Sequence, residues 1–188
     1  MNIETLLQDK GIRAYINKCD HIIVEASDIL IALKEIKEQY SAHILNDLFA
    51  ADFVYKEKRF EIVYCLLSLK LNKRYVIKTY VAEDEKVASA TSIFVNANWY
   101  EREIFDMFGV EFSNSPDTRR ILTDYNFVGH PLRKDFPLSG HVQVTYDETL
   151  QKVVYEPVNL EQEFRTFDFL SPWQKNALLP GDEKSSKE

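Results

Sequence analysis

The sequence predicts an α+β fold: an antiparallel or mixed sheet flanked by helices, followed by an extended, proline-punctuated C-terminal arm with a hairpin. Three observations lead there. Residues 44–81 form a near-continuous series of stretches rich in β-branched and aromatic side chains. Two segments, around Ile29 and around Tyr100, carry apolar side chains at helical spacing. All six prolines, Pro116, Pro131, Pro137, Pro157, Pro172 and Pro180, fall after residue 115, so the strongest breakers of regular structure are kept out of everything before it. The division this implies is a compact body over residues 1–112, an extended arm over residues 113–180, and a polar tail over residues 181–188 that reads as disordered when unbound.

Taken in chain order, Ile3, Leu6 and Leu7 have helical spacing, and Ile22 to Val24 reads as a short strand. Ser27 or Asp28 then caps a helix with Ile29, Leu30, Leu33, Ile36 and Tyr40 on a core-facing stripe and Lys34, Glu35, Lys37 and Glu38 toward water. Residues 44–55, 60–71 and 75–81 read as strands, with Asn72-Lys73 suited to a tight hairpin between the last two. On the middle strand Phe60, Ile62, Tyr64 and Leu66 share one face, while Val63, Cys65, Leu67 and Leu69 share the other. Two apolar faces place that strand centrally, open to cover on both sides.

Asn98 reads as the N-cap of a second amphipathic helix, because Glu101 three residues on completes a capping box and Gly109 stands where the helix should stop. Tyr100, Ile104 and Phe108 share one face of it. Past Gly140, Val142, Val144 and Tyr146 alternate, residues 147–149 can turn and residues 153–155 return, which suits a hairpin. No internal repeat is present.

Length and composition narrow the function. With 188 residues and 45% apolar content, the chain can build one main domain with a real core. Its 23 basic and 30 acidic residues give a net charge of −7, which argues against a nucleic-acid partner. No unbroken apolar run nears the roughly 20 residues that span a bilayer. Residues 1–10, with Glu4 and Asp9, read as neither a secretory signal nor a transit peptide. Cys19 and Cys65 stand outside any paired metal or cluster motif and read as buried free thiols in a reducing compartment. The five glycines are too dispersed for a phosphate-binding loop.

Residues 97–140 concentrate charge in a way that invites a catalytic reading, and spacing removes it. Glu101 and Glu103, two apart on a helix, do not face each other, whereas Arg102 and Asp106, four apart, are placed to pair across the surface. Capping, helix-dipole and ion-pair roles follow for these charges. His130 and His141 have no second ligand at a metal spacing. Gly129-His130-Pro131 reads as a turn whose histidine hydrogen-bonds the backbone of its own or a neighbouring loop. Arg119-Arg120 and Arg133-Lys134 are interleaved with Asp117, Asp124 and Asp135, and read as solvated charge or interprotein ion pairs. No catalytic, cofactor-binding or metal-ligating residue is expected in this chain. The arm is instead dense in the residue types that anchor interfaces, including Tyr125, Phe127 and Tyr146. The candidate partner-interface set is Arg119, Arg120, His130, Arg133, Lys134, Phe136, Tyr155, Phe164, Arg165, Phe167, Phe169 and Trp173.

Trp99-Tyr100-Glu101-Arg102-Glu103, Pro116-Asp117-Thr118-Arg119-Arg120 and the run from Gly129-His130-Pro131 through Arg133-Lys134-Asp135-Phe136 to Pro137-Leu138 together resemble the signature of one family. This is the 30-kDa subunit family of respiratory complex I, NADH:ubiquinone oxidoreductase, whose members are called subunit nine of NADH dehydrogenase when organelle-encoded. The resemblance continues through Val154-Tyr155-Glu156-Pro157-Val158 and Gln162-Glu163-Phe164-Arg165 to Ser171-Pro172-Trp173, a later part similar to mitochondrial and α-proteobacterial versions. There are departures: Asn114-Ser115 stands where the family usually has Gly-His, and Thr118 where Leu is common.

The resemblance implies a non-catalytic structural and assembly subunit on the peripheral arm of a proton-pumping enzyme. Its C-terminal segment would lie along the quinone-site subunit, the relative of the hydrogenase large subunit, beside iron–sulfur subunits in a hetero-oligomer. FMN, iron–sulfur clusters and ubiquinone would belong to those partners and none to this chain. The expected location is the matrix side of the mitochondrial inner membrane or, alternatively, the cytoplasmic face of a bacterial inner membrane. Plentiful Lys, Asn, Ile and Tyr beside scarce Gly lean toward an organelle. The alternative function is a scaffold subunit of a membrane-bound hydrogenase-type complex.

Overall fold

A computed structural model describes residues 3–160 and residue 162. Phe164, Arg165, Phe167, Phe169, Trp173 and the 181–188 tail lie outside the described residues. The chain forms two compact units, Met1–Gly140 and His141–Glu188.

In the first unit, α1 (Ile3–Asp9), β1 (Ala14–Ile16) and β2 (Ile22–Val24) lead through a 3-10 turn (Ala26–Asp28) into α2 (Ile29–Gln39). Three long strands follow, β3 (Ile44–Asp52), β4 (Phe60–Ser68) and β5 (Lys73–Val81). Then come β6 (Val87–Ala88), a second 3-10 turn (Ala90–Ser92), α3 (Ala97–Phe108) and β7 (Phe112–Ser113). The five-stranded sheet has the order β1-β2-β5-β4-β3, with β2 and β5 parallel and every other pair antiparallel. The chain is thus α+β with a mixed sheet.

The helices and one face of the sheet enclose a single core. Phe60, Ile62, Tyr64 and Leu66 of β4 are almost wholly buried and pack with Ile29, Leu33 and Ile36 of α2 and Ile104 of α3. Leu30 and Tyr40 flank that stripe half-buried. The opposite face of β4 is less closed: Val63 is buried, while Cys65 and Leu67 are half-buried. Cys19 is exposed, which corrects its reading as a buried thiol; it sits in a turn, on no apolar face.

Smaller features depart from the sequence reading for local reasons. Neither Ser27 nor Asp28 caps α2 with its side chain, because both belong to the 3-10 turn that enters the helix. The β4–β5 hairpin pairs Ser68 with Lys73, so Lys73 begins a strand and Asn72, at φ +47°, ends the loop. The short strands β1, β6 and β7 carry no periodicity of their own. β6 and β7 pair in parallel, Val87 with Phe112 and Ala88 with Ser113, joining the chain before α3 to the chain after it.

The second unit contains an antiparallel ribbon, β8 (Val142–Asp147) and β9 (Lys152–Pro157), where alternation placed a hairpin. Asp147 Oδ1 accepts the amides of Thr149 and Leu150, at 2.8 and 3.0 Å, and shapes its turn. The division between the units falls after Gly140 and not after residue 112, because residues 113–140 are bonded back onto α3 and the sheet. Among the described residues no helix is long and apolar enough to cross a membrane.

Candidate functional site

The region that looked catalytic is a helix gripped along its length by the loop that follows it. At its start, Asn98 lies inside α3, and the helix is entered from Asn96. Asn96 Nδ2 donates to the Leu45 carbonyl at 2.9 Å and the Tyr100 hydroxyl to that of Asn46 at 3.2 Å, tying α3 to β3. The expected capping box does not form because Glu101 turns inward. Its Oε1 accepts the Ala90 amide and its Oε2 the Ser89 hydroxyl, both at 2.7 Å, and the residue is 1% exposed. Burial pushes its carboxyl pKa up, against the hydrogen bonds from Ser89, Ala90 and Ser115.

At the far end Gly109 adopts φ +77° and donates its amide to the Phe105 carbonyl, the left-handed stop that the sequence indicated. A side chain there is excluded by space as well as conformation, since a Cβ would lie 2.6 Å from the His130 ring. The next three helix carbonyls would have no partner within α3. Instead Asp106 O accepts from His130 Nδ1 at 3.0 Å, Met107 O from the Leu132 amide at 3.1 Å, and Phe108 O from Arg133 Nε at 2.5 Å. One turn of the loop therefore caps the helix. Because a carbonyl only accepts, His130 carries its proton on Nδ1 when neutral.

Asp106 is the centre of the arrangement. Fully buried, it accepts the amides of Ile121, Leu122 and Thr123 at 3.1, 2.7 and 2.9 Å, the Thr123 hydroxyl, and Arg120 Nη1 at 2.8 Å. Burial alone would raise its pKa, but these donors together outweigh it and hold the carboxyl well below the usual carboxylate range. The anticipated surface pair between Arg102 and Asp106 is absent, because both side chains are buried and engage the loop. Arg102 Nε donates to the Arg119 carbonyl at 2.9 Å, its Nη1 lies 3.4 Å from Asp117, and its guanidinium stacks over the Trp99 ring at 5.0 Å. Farther along, Arg59 joins Asp52, at 2.7 and 2.8 Å, to Asp135, at 2.9 and 3.1 Å, and the Lys134 amide donates to Asp52 at 2.8 Å.

These contacts separate the predicted interface residues. Arg120, His130 and Arg133 bond within the chain: Arg120 reaches Asp106 and the Gly129 carbonyl, and Arg133 reaches Phe108 O and Glu83. Reading Arg120 and Arg133 as solvated or interprotein charge is corrected accordingly. Phe136 is half-buried, its ring 5.8 Å from that of Phe127. Arg119, Lys134 and Tyr155 are exposed, Arg119 with an Asp117 pair at 2.6 Å. The residues that sequence reasoning missed are Asp106 as organiser and Arg59 with Asp52. Asp106 meets residues 120–123 of an irregular loop, and Arg59 meets Asp52 across the β3–β4 turn and Asp135 far along the chain, so no helical or strand spacing announced them.

Two more surfaces bear on the site and the arm. A cleft of about 470 Å³ lies between α3 and residues 111–118, lined by Glu101, Arg102, Phe105, Asn114, Ser115 and Asp117 among others. The departure from Gly-His falls here. Asn114 takes φ +61°, a conformation that Gly adopts freely and Asn tolerates, so the turn survives the exchange. The second surface is the ribbon in the other unit. Val142, Val144 and Tyr146 pair with Pro157, Tyr155 and Val153, so one face is apolar throughout, and all but the proline are large hydrophobics 54–62% exposed. On the other face Glu156 accepts from Gln143 at 2.9 Å and from Thr145.

With this geometry in view, similarity to known proteins is decisive. The family described as "Respiratory-chain NADH dehydrogenase, 30 Kd subunit" matches residues 22–142, from β2 through α3 and its gripping loop. The chain belongs to this 30-kDa subunit family. It is 59% identical over 165 residues to an NADH-quinone oxidoreductase subunit of Rickettsia bellii (strain RML369-C), covering 86% of this chain and 84% of that one. The corresponding NADH-quinone oxidoreductase subunit of Methylobacterium radiotolerans is 52% identical over 168 residues, covering 88% and 78% respectively. A chain of the membrane-bound sulfane sulfur reductase, an archaeal respiratory membrane complex, shares the fold with a TM-score of 0.57 and 25% identity over 72% of this chain and 84% of that one. As a member of the 30-kDa family, the chain is a subunit of a multi-subunit respiratory NADH dehydrogenase, complex I. These named relatives are bacterial and archaeal, and lend nothing to the organelle leaning.

Proposed function

We propose that the chain is a non-catalytic structural and assembly subunit of the peripheral arm of proton-pumping NADH:ubiquinone oxidoreductase. It supports electron transfer from NADH to quinone by docking on the quinone-site, hydrogenase-large-subunit-like subunit, beside the iron–sulfur subunits. FMN, the iron–sulfur clusters and ubiquinone belong to those partners. The observation that carries the reading is the apolar face of the β8–β9 ribbon. A two-stranded ribbon is at best marginal alone in water, and one that points valines and tyrosines outward while bonding its polar face internally is built to be covered. Arg119, Lys134, Phe136 and Tyr155 are the described residues of the proposed interface, with Phe164, Arg165, Phe167, Phe169 and Trp173 continuing it. The bacterial relatives support the cytoplasmic face of an inner membrane over the mitochondrial matrix side.

The test is incorporation. Val144→Glu with Val153→Glu should leave the melting temperature of the free chain unchanged, yet lower its entry into complex I on native gels at least about tenfold, because a charge is then buried against an apolar partner. Undiminished incorporation would sink the docking role.

A further inference from the structure

A separate exposed patch lies at the end of the β4–β5 hairpin, where Leu69-Lys70-Leu71-Asn72-Lys73-Arg74 are six consecutive exposed residues. The turn is well built: Ser68 Oγ accepts the Leu71 amide at 3.3 Å and the Leu69 carbonyl the Asn72 amide at 3.4 Å. It nonetheless holds Leu69 73% and Leu71 51% exposed. Below the tip the apolar surface continues, since half-buried Leu67 pairs with exposed Ile44 on β3. Lys70, Lys73 and Arg74 alternate with or follow the leucines along this tip, and among the described residues none of the three forms an ion pair. Lys73 rests over the Tyr75 ring at 5.5 Å, a contact that leaves its charge unneutralised. In a chain of net charge −7, such a basic cluster framing two exposed leucines is not accounted for by the fold.

We propose that this tip is a second docking point, distinct from the ribbon, which inserts Leu69 and Leu71 into an apolar pocket rimmed by carboxylates on a neighbouring subunit, with Lys70, Lys73 and Arg74 pairing at the rim. Charge complementarity specifies the partner: an acidic rim neutralises the three cations and an apolar floor covers the leucines. An acidic protein surface is favoured over an anionic bilayer because three cations fall short of the cluster of about four to eight that reads as a site for anionic lipid. The proposal rests on the chain being a subunit of the complex.

The full-length chain carries the test, as K70E/R74E, as L69S/L71S, and as K34E, which reverses an exposed lysine elsewhere. All three should melt like wild type when free. In competition with wild type for entry into the complex, the first two should be disfavoured about tenfold, with K70E/R74E worsening as salt is lowered, while K34E competes equally. A carbodiimide cross-link from Lys70 or Lys73 to an Asp or Glu of a neighbouring subunit is the matching physical result. Equal competition by both tip variants overturns the proposal. So does binding of the wild-type chain to phosphatidylglycerol–phosphatidylcholine vesicles that K70E/R74E abolishes without any loss of assembly. If wild type itself stays outside the complex, the subunit reading falls and this contact with it; if wild type enters and the tip variants enter equally, only the contact falls.

Discussion

Glu101 and Asp106, little more than a turn apart on α3, are both nearly or wholly buried carboxylates, yet their surroundings push their pKa values in opposite directions, up for Glu101 and down for Asp106. Around Asp106 three amides, a hydroxyl and a guanidinium favour the charged form. Around Glu101 burial dominates, and no cation pairs with it among the described residues. Asp106→Asn replaces an acceptor with a donor that faces donors and strands Arg120, so the free chain should lose about 3–5 kcal/mol, the range for breaking a buried pair. Glu101→Gln keeps an acceptor for the Ala90 amide and gives up a charge that burial penalises, so it should stay within about 1 kcal/mol of wild type at neutral pH. The linkage agrees. With its folded pKa raised above 4.5, Glu101 contributes stability at acid pH that is lost as pH rises through the shifted value. Denaturant titration of the two variants side by side is the check, and equal losses would show that the environments do not differ as the hydrogen bonds indicate.

At the scale of elements, the loop that caps α3 carries its own titrating group. Burial, with Arg133 and Arg120 nearby, lowers the His130 pKa from its ordinary 6.5, against the pull of the Asp106 carbonyl and carboxylate. The folded chain therefore favours neutral imidazole. Its contribution is complete above about pH 6.5 and is lost as pH falls through the lowered folded value. The melting temperature should drop between about pH 7.5 and about pH 5.5, and His130→Gln should flatten that slope; parallel slopes would remove the histidine from the capping turn's stability. The same elements show what a sequence reveals of itself. Gly109 ends its helix, Phe60 to Leu66 fill the core, and Val142, Val144 and Tyr146 alternate into a ribbon, because each is governed by a short-range rule of period or backbone conformation. The i,i+4 rule failed for Arg102 and Asp106 since it presumes an exposed helix face, and burial here is created by residues 115–133. Glu101 failed as a capping box for the same reason: the Ser89 and Ala90 donors approach from an earlier turn that the spacing cannot include.

For the whole molecule, the division after Gly140 assigns separate tasks to separate lengths of chain. Every bond described for the α3 cap, from Asp106 with residues 120–123 to Arg59 with Asp135, closes within residues 1–140. A chain ending at Gly140 should therefore melt cooperatively within a few degrees of the full-length protein. Ending it at Asn114 removes every donor described for the Asp106 carboxylate and for the last three carbonyls of α3, and takes Asp135 away from Arg59. Losing these hydrogen bonds at about 1 kcal/mol each costs several kcal/mol in all, which at about 2–4 °C per kcal/mol lowers the midpoint by roughly 10 °C or more, or leaves the fragment unfolded. The 1–140 chain should still fail to enter the complex, since the apolar ribbon and the aromatic residues beyond it are gone. Circular dichroism melts and native gels of the two truncations decide the matter. Equal melting of both would mean that the loop over residues 115–140 does not hold α3 in place, and full incorporation of the 1–140 chain would mean that attachment resides in the body and the hairpin tip alone.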